Sequence, residues 1–168
     1  MNRWLQVVVG VGFALGYGML PVFAEQIRFG DGGSIFGGAT WVITPDDHVR
    51  FDAYQYEGAL AAREGWVWDN EEVKQGHITF AIPGAFATAA EIAREGLADI
   101  GPAPEYQSNC LDAGSLIMEA AAEGVAYTGT IDHCAREDQA PADVRAHYTA
   151  VRAVEADIIT ALGLDRLP

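Results

Sequence analysis

The chain has 168 residues, half of them hydrophobic, and its 24 acidic residues against 10 lysines and arginines give a formal net charge of −14. This length is enough for one domain with its own core. The charge would repel phosphate backbones and anionic membranes, and no basic cluster offsets it, so nucleic-acid binding is disfavoured. Acidity is compatible with a basic protein or a divalent metal as partner, but it chiefly favours solubility.

The first 24 residues have the pattern of a signal peptide. Arg3 precedes an apolar run from Leu5 to Leu20, and Val22-Phe23-Ala24 fits a cleavage site. A retained membrane anchor is the competing interpretation, but the glycines in the run argue against it. We predict cleavage after Ala24, which leaves residues 25–168 as one periplasmic or secreted domain. Loss of Arg3 makes the formal charge one unit more negative, and no membrane association is expected after cleavage.

The first half of this domain is predicted to contain one β-hairpin and two further strands. Gly30–Gly38 holds five glycines in nine positions and predicts a turn or loop. The segment Pro45–His48 predicts a turn between two runs of β-branched and aromatic residues. The predicted strands are Ala39–Thr44, Val49–Tyr56, Gly65–Trp68 and His77–Ile82.

The second half is predicted to be mixed. Thr88–Glu91 resembles a capping box that opens a short helix, which Gly96 can close. Ser115–Ile131 is compatible with a helix or a hairpin, and its alternating pattern around Glu123-Gly124 favours the hairpin. Pro141–Gly163 predicts a long amphipathic helix. Its apolar stripe is Val144, Tyr148, Val151, Val154, Ile158 and Leu162, with Arg145, Thr149 and Arg152 toward the other side. The predicted fold class is α+β, a mostly antiparallel sheet with both helices on one side.

The stretch TIDHC, Thr130–Cys134, raises three interpretations. Cys110 and Cys134 are the only cysteines, and an even pair in an exported chain favours a disulfide. A zinc site lacks the usual paired ligand spacing. A nucleophilic cysteine would require the other one to stay unpaired in an oxidising compartment. We predict a disulfide, with His133 exposed beside it, and no metal site.

The strand sequence HVRFDAYQY provides the candidate binding residues. Strand alternation places His48, Arg50, Asp52, Tyr54 and Tyr56 on one face, opposite the core residues Val49, Phe51 and Ala53. Arg50 and Asp52 are close enough to form a pair, whereas His48 and Asp52 are too far apart for direct contact. An ordinary solvated sheet face is the alternative.

Aromatic and acidic residues follow in the next predicted strand. Trp66 and Trp68, with Trp41 nearby, would form a binding platform if they were exposed, but their size favours the core. Asp69, Glu71 and Glu72 lack the spacing of a calcium loop, so a solvated acidic turn is preferred.

No catalytic, nucleotide-binding or cofactor motif is present. Ser34 and Ser115 lack the flanking residues of serine nucleophile motifs. We therefore predict a non-enzymatic binding or envelope-interaction module without a cofactor, for a basic protein or a small polar ligand. The alternatives are an inhibitor of a basic extracellular enzyme and a hydrolase that uses carboxylates. The carboxylate candidates are Asp46, Asp47, Asp52 and Glu57. A cleft with two carboxylates in contrasting environments would favour the hydrolase, and a flat or convex surface would favour the module.

Overall fold

The computed structural model describes residues 25–34, 37–55, 63–106, 114–136 and 140–166. Seven strands form one antiparallel sheet in the order β4-β5-β3-β2-β1-β6-β7. The strands are β1 Gln26–Ser34, β2 Gly37–Ile43, β3 His48–Tyr54, β4 Val67–Asn70, β5 Gln75–Ala81, β6 Ser115–Ala122 and β7 Val125–Asp132. The helices are α1 Ala85–Leu97 and α2 Ala142–Leu162. The predicted α+β class is confirmed; the predicted signal peptide lies outside the described residues.

One face of the sheet and the two helices enclose the core. Alternate residues on neighbouring strands, such as Phe29 of β1, Val49 of β3 and Met118 of β6, are fully buried. The apolar stripe of α2 is buried as predicted, except that Leu162 is only partly covered. Because side chains alternate along a strand, the polar residues between these core positions lie on the opposite face. In the described part of the chain, no helix covers that face, which we call the open face.

In the glycine-rich segment Gly30–Gly38, the described residues 30–34 and 37–38 are in strands, so the predicted turn or loop does not extend over them. Most of it belongs to β1, between β2 and β6, and to the start of β2. Gly30 has a φ of 135°, and a Cβ at that position would collide with the backbone of Ala39. At Gly30, glycine therefore allows the close approach of a neighbouring strand.

Helix α1 begins earlier than its sequence suggests, so the capping box predicted at Thr88 was wrong. The Thr88 N–H donates to the carbonyl of Gly84, which places Thr88 inside the helix. The carboxylate of Asp47, from the β2–β3 turn, accepts hydrogen bonds from the N–H groups of Gly84 at 2.8 Å and Phe86 at 3.1 Å. These two backbone donors hold the pKa of Asp47 below its ordinary value. Asp47 therefore caps α1 from a distant part of the chain.

The two elements that follow α1 agree with their sequence patterns. β6 and β7 form the predicted hairpin, and Gly124 lies in its turn with a φ of 79°. Helix α2 ends at Leu162 and is followed by the cap residue Gly163, whose left-handed φ of 65° suits glycine. Among the described residues, no helix is both long and apolar enough to span a membrane.

The structure describes only one of the two cysteines of the predicted disulfide. Cys134 is buried in the short 3-10 turn after β7. Cys110 lies outside the described residues, so the bridge between the two stays a prediction.

Candidate functional site

The open face contains a concavity of about 620 Å³ over β1, β2 and β3. Its volume lies within the range of small-molecule sites. Polar side chains on its lining include Gln26, Arg28, Thr40, Arg50, Asp52, Tyr54 and Gln75. Hydrogen-bond donors and acceptors from four strands therefore converge on one surface.

A bidentate ion pair on β3 forms one side of this concavity. Arg50 Nε donates to Asp52 at 2.9 and 3.0 Å, and Arg50 Nη2 donates to Asp52 Oδ1 at 2.6 Å. The hydrogen bond to Asp52 raises the pKa of Arg50 above its ordinary value. Two parallel contacts fix the plane of the guanidinium, so Arg50 is oriented before any ligand arrives.

Two further residues from β4 and β5 extend this pair. His77 lies opposite Asp52 in the β3–β5 register, and His77 Nδ1 is 2.8 Å from a carboxylate oxygen of Asp69. The same oxygen of Asp69 is 3.9 Å from Arg50 Nη2. Asp52, Arg50, Asp69 and His77 thus form a continuous polar group, which we call the Arg50 cluster.

The second arginine of the concavity lies two strands away. Val42 pairs with Arg28 on one side and with Arg50 on the other, so the two backbones are about 10 Å apart. Arg28 Nη1 lies 3.6 Å from Glu119 Oε1, so the two residues form an ion pair but no hydrogen bond. Within the described residues, the donors of Arg28 are consequently available to a ligand.

Tyr54 completes the wall at the end of β3. Tyr54 pairs with Gly38 of β2, and a Cβ at position 38 would collide with the Tyr54 ring. The absence of a side chain at Gly38 therefore allows the ring to lie against the backbone of β2.

Only some of the predicted binding residues line the concavity. Arg50, Asp52 and Tyr54 lie on the open face and line the concavity. His48 shares that face but pairs with Asp46 at 3.0 Å and is not among the residues lining the concavity. Tyr56 lies outside the described residues. The predicted alternation of β3 is confirmed, and the predicted Arg50–Asp52 pair forms.

Several residues of the site were missed by the sequence analysis. Gln26 and Arg28 alternate with the buried Ile27 and Phe29, a strand pattern that extends into the glycine-rich segment. His77 belongs to a strand that was predicted, but its position opposite Asp52 depends on strand order. Alternation would have identified the first two residues, and nothing local indicates the last.

The Arg50 cluster also resembles part of a metal site. Asp52, Asp69 and His77 offer ligand atoms that all lie within 4.8 Å of one another. The guanidinium of Arg50 already contacts both carboxylates. A metal ion bound to these carboxylates would lie next to this positive charge and be repelled by it. For this reason no metal is assigned to the cluster, and the sequence-based expectation of none stays a prediction.

The tryptophans do not form an open platform. Trp41 is buried and packs against Phe51 with ring centroids 4.4 Å apart. Trp66 packs partly against the core and contacts Trp68 edge to face at 5.6 Å. The core interpretation is confirmed for Trp41 and holds in part for Trp66.

A second polar group, which we call the Arg152 cluster, lies on the helix side of the sheet. His133 was predicted to be exposed, but its side chain is only 13% exposed, and Nε2 lies 3.1 Å from Asp31. His133 Nδ1 is 3.0 Å from the hydroxyl of Tyr148. Arg152 was placed toward the outer side of α2, yet it donates to Asp31 at 2.6 Å, to Glu155 at 2.5 Å and to Tyr148 at 3.2 Å. The His133 prediction was wrong because it considered that residue on its own element alone. Arg152 lies outside the buried stripe of α2 as predicted, but it reaches Asp31 on β1.

The two carboxyls of this cluster have opposite environments. Burial raises the pKa of Glu155, and Arg152 only partly opposes that shift. Burial also acts on Asp31, but hydrogen bonds from His133 and Arg152 outweigh it and bring the pKa of Asp31 below its ordinary value. Sequence spacing did not indicate this pair, because the two residues are brought together only by the packing of α2 on β1.

No protein-family model matches the chain, and neither a curated protein nor a solved structure matches it significantly. The site is therefore interpreted from its own geometry.

Proposed function

We propose that this protein is an exported binding module whose open sheet face takes a small polar ligand. The observation that carries the proposal is the concavity of about 620 Å³ with the oriented Arg50 on its wall and Arg28 across Val42. Pre-oriented polar groups around a concave surface reduce the entropy lost when a ligand binds.

The charges of the site indicate the chemistry of the ligand. Arg28 and Arg50 supply donors, while Asp52, Asp69 and Glu119 supply acceptors next to them. Because each guanidinium already has a carboxylate neighbour, an anion gains little from the site and is repelled by the acidic surface. A neutral or zwitterionic compound rich in hydroxyl groups, of the size of a mono- or disaccharide, fits donors and acceptors together.

The hydrolase alternative gains little from the four carboxylates proposed for it, and the one pair with contrasting environments, Asp31 and Glu155, is bound by Arg152. Asp46 accepts from Thr44 and lies beside His48, Asp47 caps α1, and Asp52 is bound by Arg50. Glu57 lies outside the described residues. Carboxylates whose oxygens already have partners are poorly placed to act as a base or nucleophile. The inhibitor alternative rests on acidity and small size alone.

Export and the disulfide belong to the same proposal. Material recovered from the periplasm or medium is expected to begin at Glu25 and to carry no free thiol, which intact mass with and without alkylation under denaturing conditions measures. The burial of Cys134 supports the bridge. A product that retains Met1, or a cysteine that alkylates without reductant, would contradict the respective half of the proposal.

Arg50→Ala tests the binding site directly. Nuclear magnetic resonance titration of the labelled protein with a panel of mono- and disaccharides is expected to shift signals of the open face. In Arg50→Ala, affinity for any hit should fall about tenfold or more, as expected for the loss of a charge-assisted hydrogen bond. The melting temperature should change little, because exposed ion pairs contribute at most about 1 kcal/mol.

Arg94→Ala is the matched control, since Arg94 is an exposed arginine on α1. It removes the same charge from the helix side and should leave binding unchanged. If the hits shift signals of the helix side instead, or if both variants weaken binding equally, the open face is not the binding site.

A further inference from the structure

The outer edge of β7 carries unpaired backbone groups. β7 pairs with β6 on one side only, and the N–H of His133 continues that pairing by donating to the carbonyl of Gly114. Because backbone groups alternate in direction along an antiparallel strand, Ala126, Thr128 and Thr130 point their N–H and C=O groups away from β6. In the part of the chain that the structure describes, these groups have no hydrogen-bond partner.

β7 also lacks the features that protect an edge strand from pairing. Its eight residues, Val125–Asp132, include no proline or lysine, and the single charge is at the last position. It pairs with β6 along its whole length without a register shift. The opposite edge strand, β4, has only four residues and a register shift between Trp68 and Asn70. Since short strands, bulges and charges normally prevent edge-to-edge pairing, β7 is the edge suited to a further strand.

The side chains on this edge favour a second copy of the chain as that further strand. Ala126, Thr128 and Thr130 are small, neutral and exposed on the open face. They carry no acid by which a basic peptide would be recognised. On a protein with a formal net charge of −14, such a neutral edge is where two copies approach each other with the least repulsion.

We propose that β7 pairs antiparallel with β7 of a second copy, which joins the two sheets into one. A twofold axis at Thr128 places this residue opposite itself and places Ala126 opposite Thr130 of the second copy. Each outward-facing residue then exchanges both of its backbone hydrogen bonds with the residue opposite, which gives about six bonds across the axis. Threonine side chains that face each other across two strands add to this stabilisation.

The same register keeps like charges apart. Asp132 of one copy lies opposite Gly124 of the other, where a Cβ would lie 3.1 Å from Cδ of Arg94. The acid at the end of β7 therefore approaches a turn beside an arginine. The two copies of Glu123 lie at opposite ends of the paired strands, so they do not face each other. This surface is the edge of the sheet, so the proposal does not depend on a ligand in the concavity.

Sedimentation velocity of the mature protein over a wide range of concentration tests the association. A monomer–dimer equilibrium is expected, and added salt should shift it toward the dimer by screening the charge of the two copies. Thr128→Lys places two lysines opposite each other and should weaken dimerisation about tenfold or more. Thr149→Lys makes the same change of charge at an exposed position of α2 and should not weaken it.

A mixture of two variants tests the register. Thr128→Glu alone should dimerise as weakly as Thr128→Lys, and an equimolar mixture of the two should recover the dimer, because opposite charges then meet at the axis. A protein that stays monomeric at every concentration and salt, including one that binds a peptide along β7 instead, would overturn the proposal. Dimers that Thr128→Lys leaves unchanged, equal weakening by Thr149→Lys, or a mixture that stays monomeric would overturn it as well.

Discussion

Phe51→Ala is expected to lower the free energy of unfolding by about 3–5 kcal/mol, the usual cost of removing a buried phenylalanine. Phe51 of β3 is only 6% exposed and packs against Trp41 within the core. Alanine would leave a cavity at the centre of the sheet, next to an indole that cannot fill it. Chemical denaturation measures the effect as a shift in the midpoint of the unfolding transition, with the denaturant slope of that transition unchanged.

The neighbouring residue provides the comparison for this prediction. Arg50→Ala removes an exposed ion pair from the other face of the same strand and should cost no more than about 1 kcal/mol. If Arg50→Ala unfolded the protein and Phe51→Ala did not, β3 would have the opposite register, and the concavity would not exist as described.

Arg152→Ala is expected to destabilise the protein by about 3 kcal/mol at neutral pH. The change removes hydrogen bonds to Asp31, Tyr148 and Glu155 and leaves the buried carboxylate of Glu155 without a cation. Breaking a buried ion pair costs about 3–5 kcal/mol, and the lower end applies because Asp31 and Arg152 are partly exposed to solvent.

The pH dependence of this loss identifies its cause. Without the guanidinium, the largest opposition to the burial that raises the pKa of Glu155 is gone, so the folded variant holds a proton on Glu155 more tightly than the unfolded chain. The destabilisation should therefore be largest above that raised pKa and should shrink as the pH falls toward the ordinary value of 4.5. Thermal unfolding of variant and parent across this window tests the sign.

The double variant Arg152→Ala with Glu155→Gln separates charge from packing. It has no uncompensated carboxylate at Glu155 and should recover part of the stability at neutral pH, with a flatter pH dependence. If the double variant is as unstable as Arg152→Ala at every pH, lost packing rather than charge explains the effect.

The β2–β3 hairpin, the β6–β7 hairpin and α2 could be predicted because each is determined by neighbouring residues. Turn residues at Pro45–His48 and Glu123-Gly124 separate alternating segments, and α2 repeats its apolar residues every three or four positions. The face on which Arg50 and Asp52 lie follows from the same alternation. The even pair of cysteines and the leader-like residues 1–24 likewise led to the predictions about export, which stay predictions.

Other features depend on contacts between distant segments. The glycines of β1 had no local sign that they face neighbouring strands, because glycine serves both turns and close approach. Asp47 caps a helix that begins at Ala85, and a cap from so far away leaves no capping box.

The two polar clusters were decided by tertiary structure alone. Strand order brings Asp69 and His77 beside Arg50, and the packing of α2 on β1 brings Glu155 and Asp31 to the same guanidinium. Local spacing specifies which face of an element a residue occupies, but not which element lies opposite that face. Hence the sequence by itself determined the hairpins, the long helix and the polar face of β3. The concavity and the two polar clusters depend instead on which strands and helices lie next to one another in the tertiary structure.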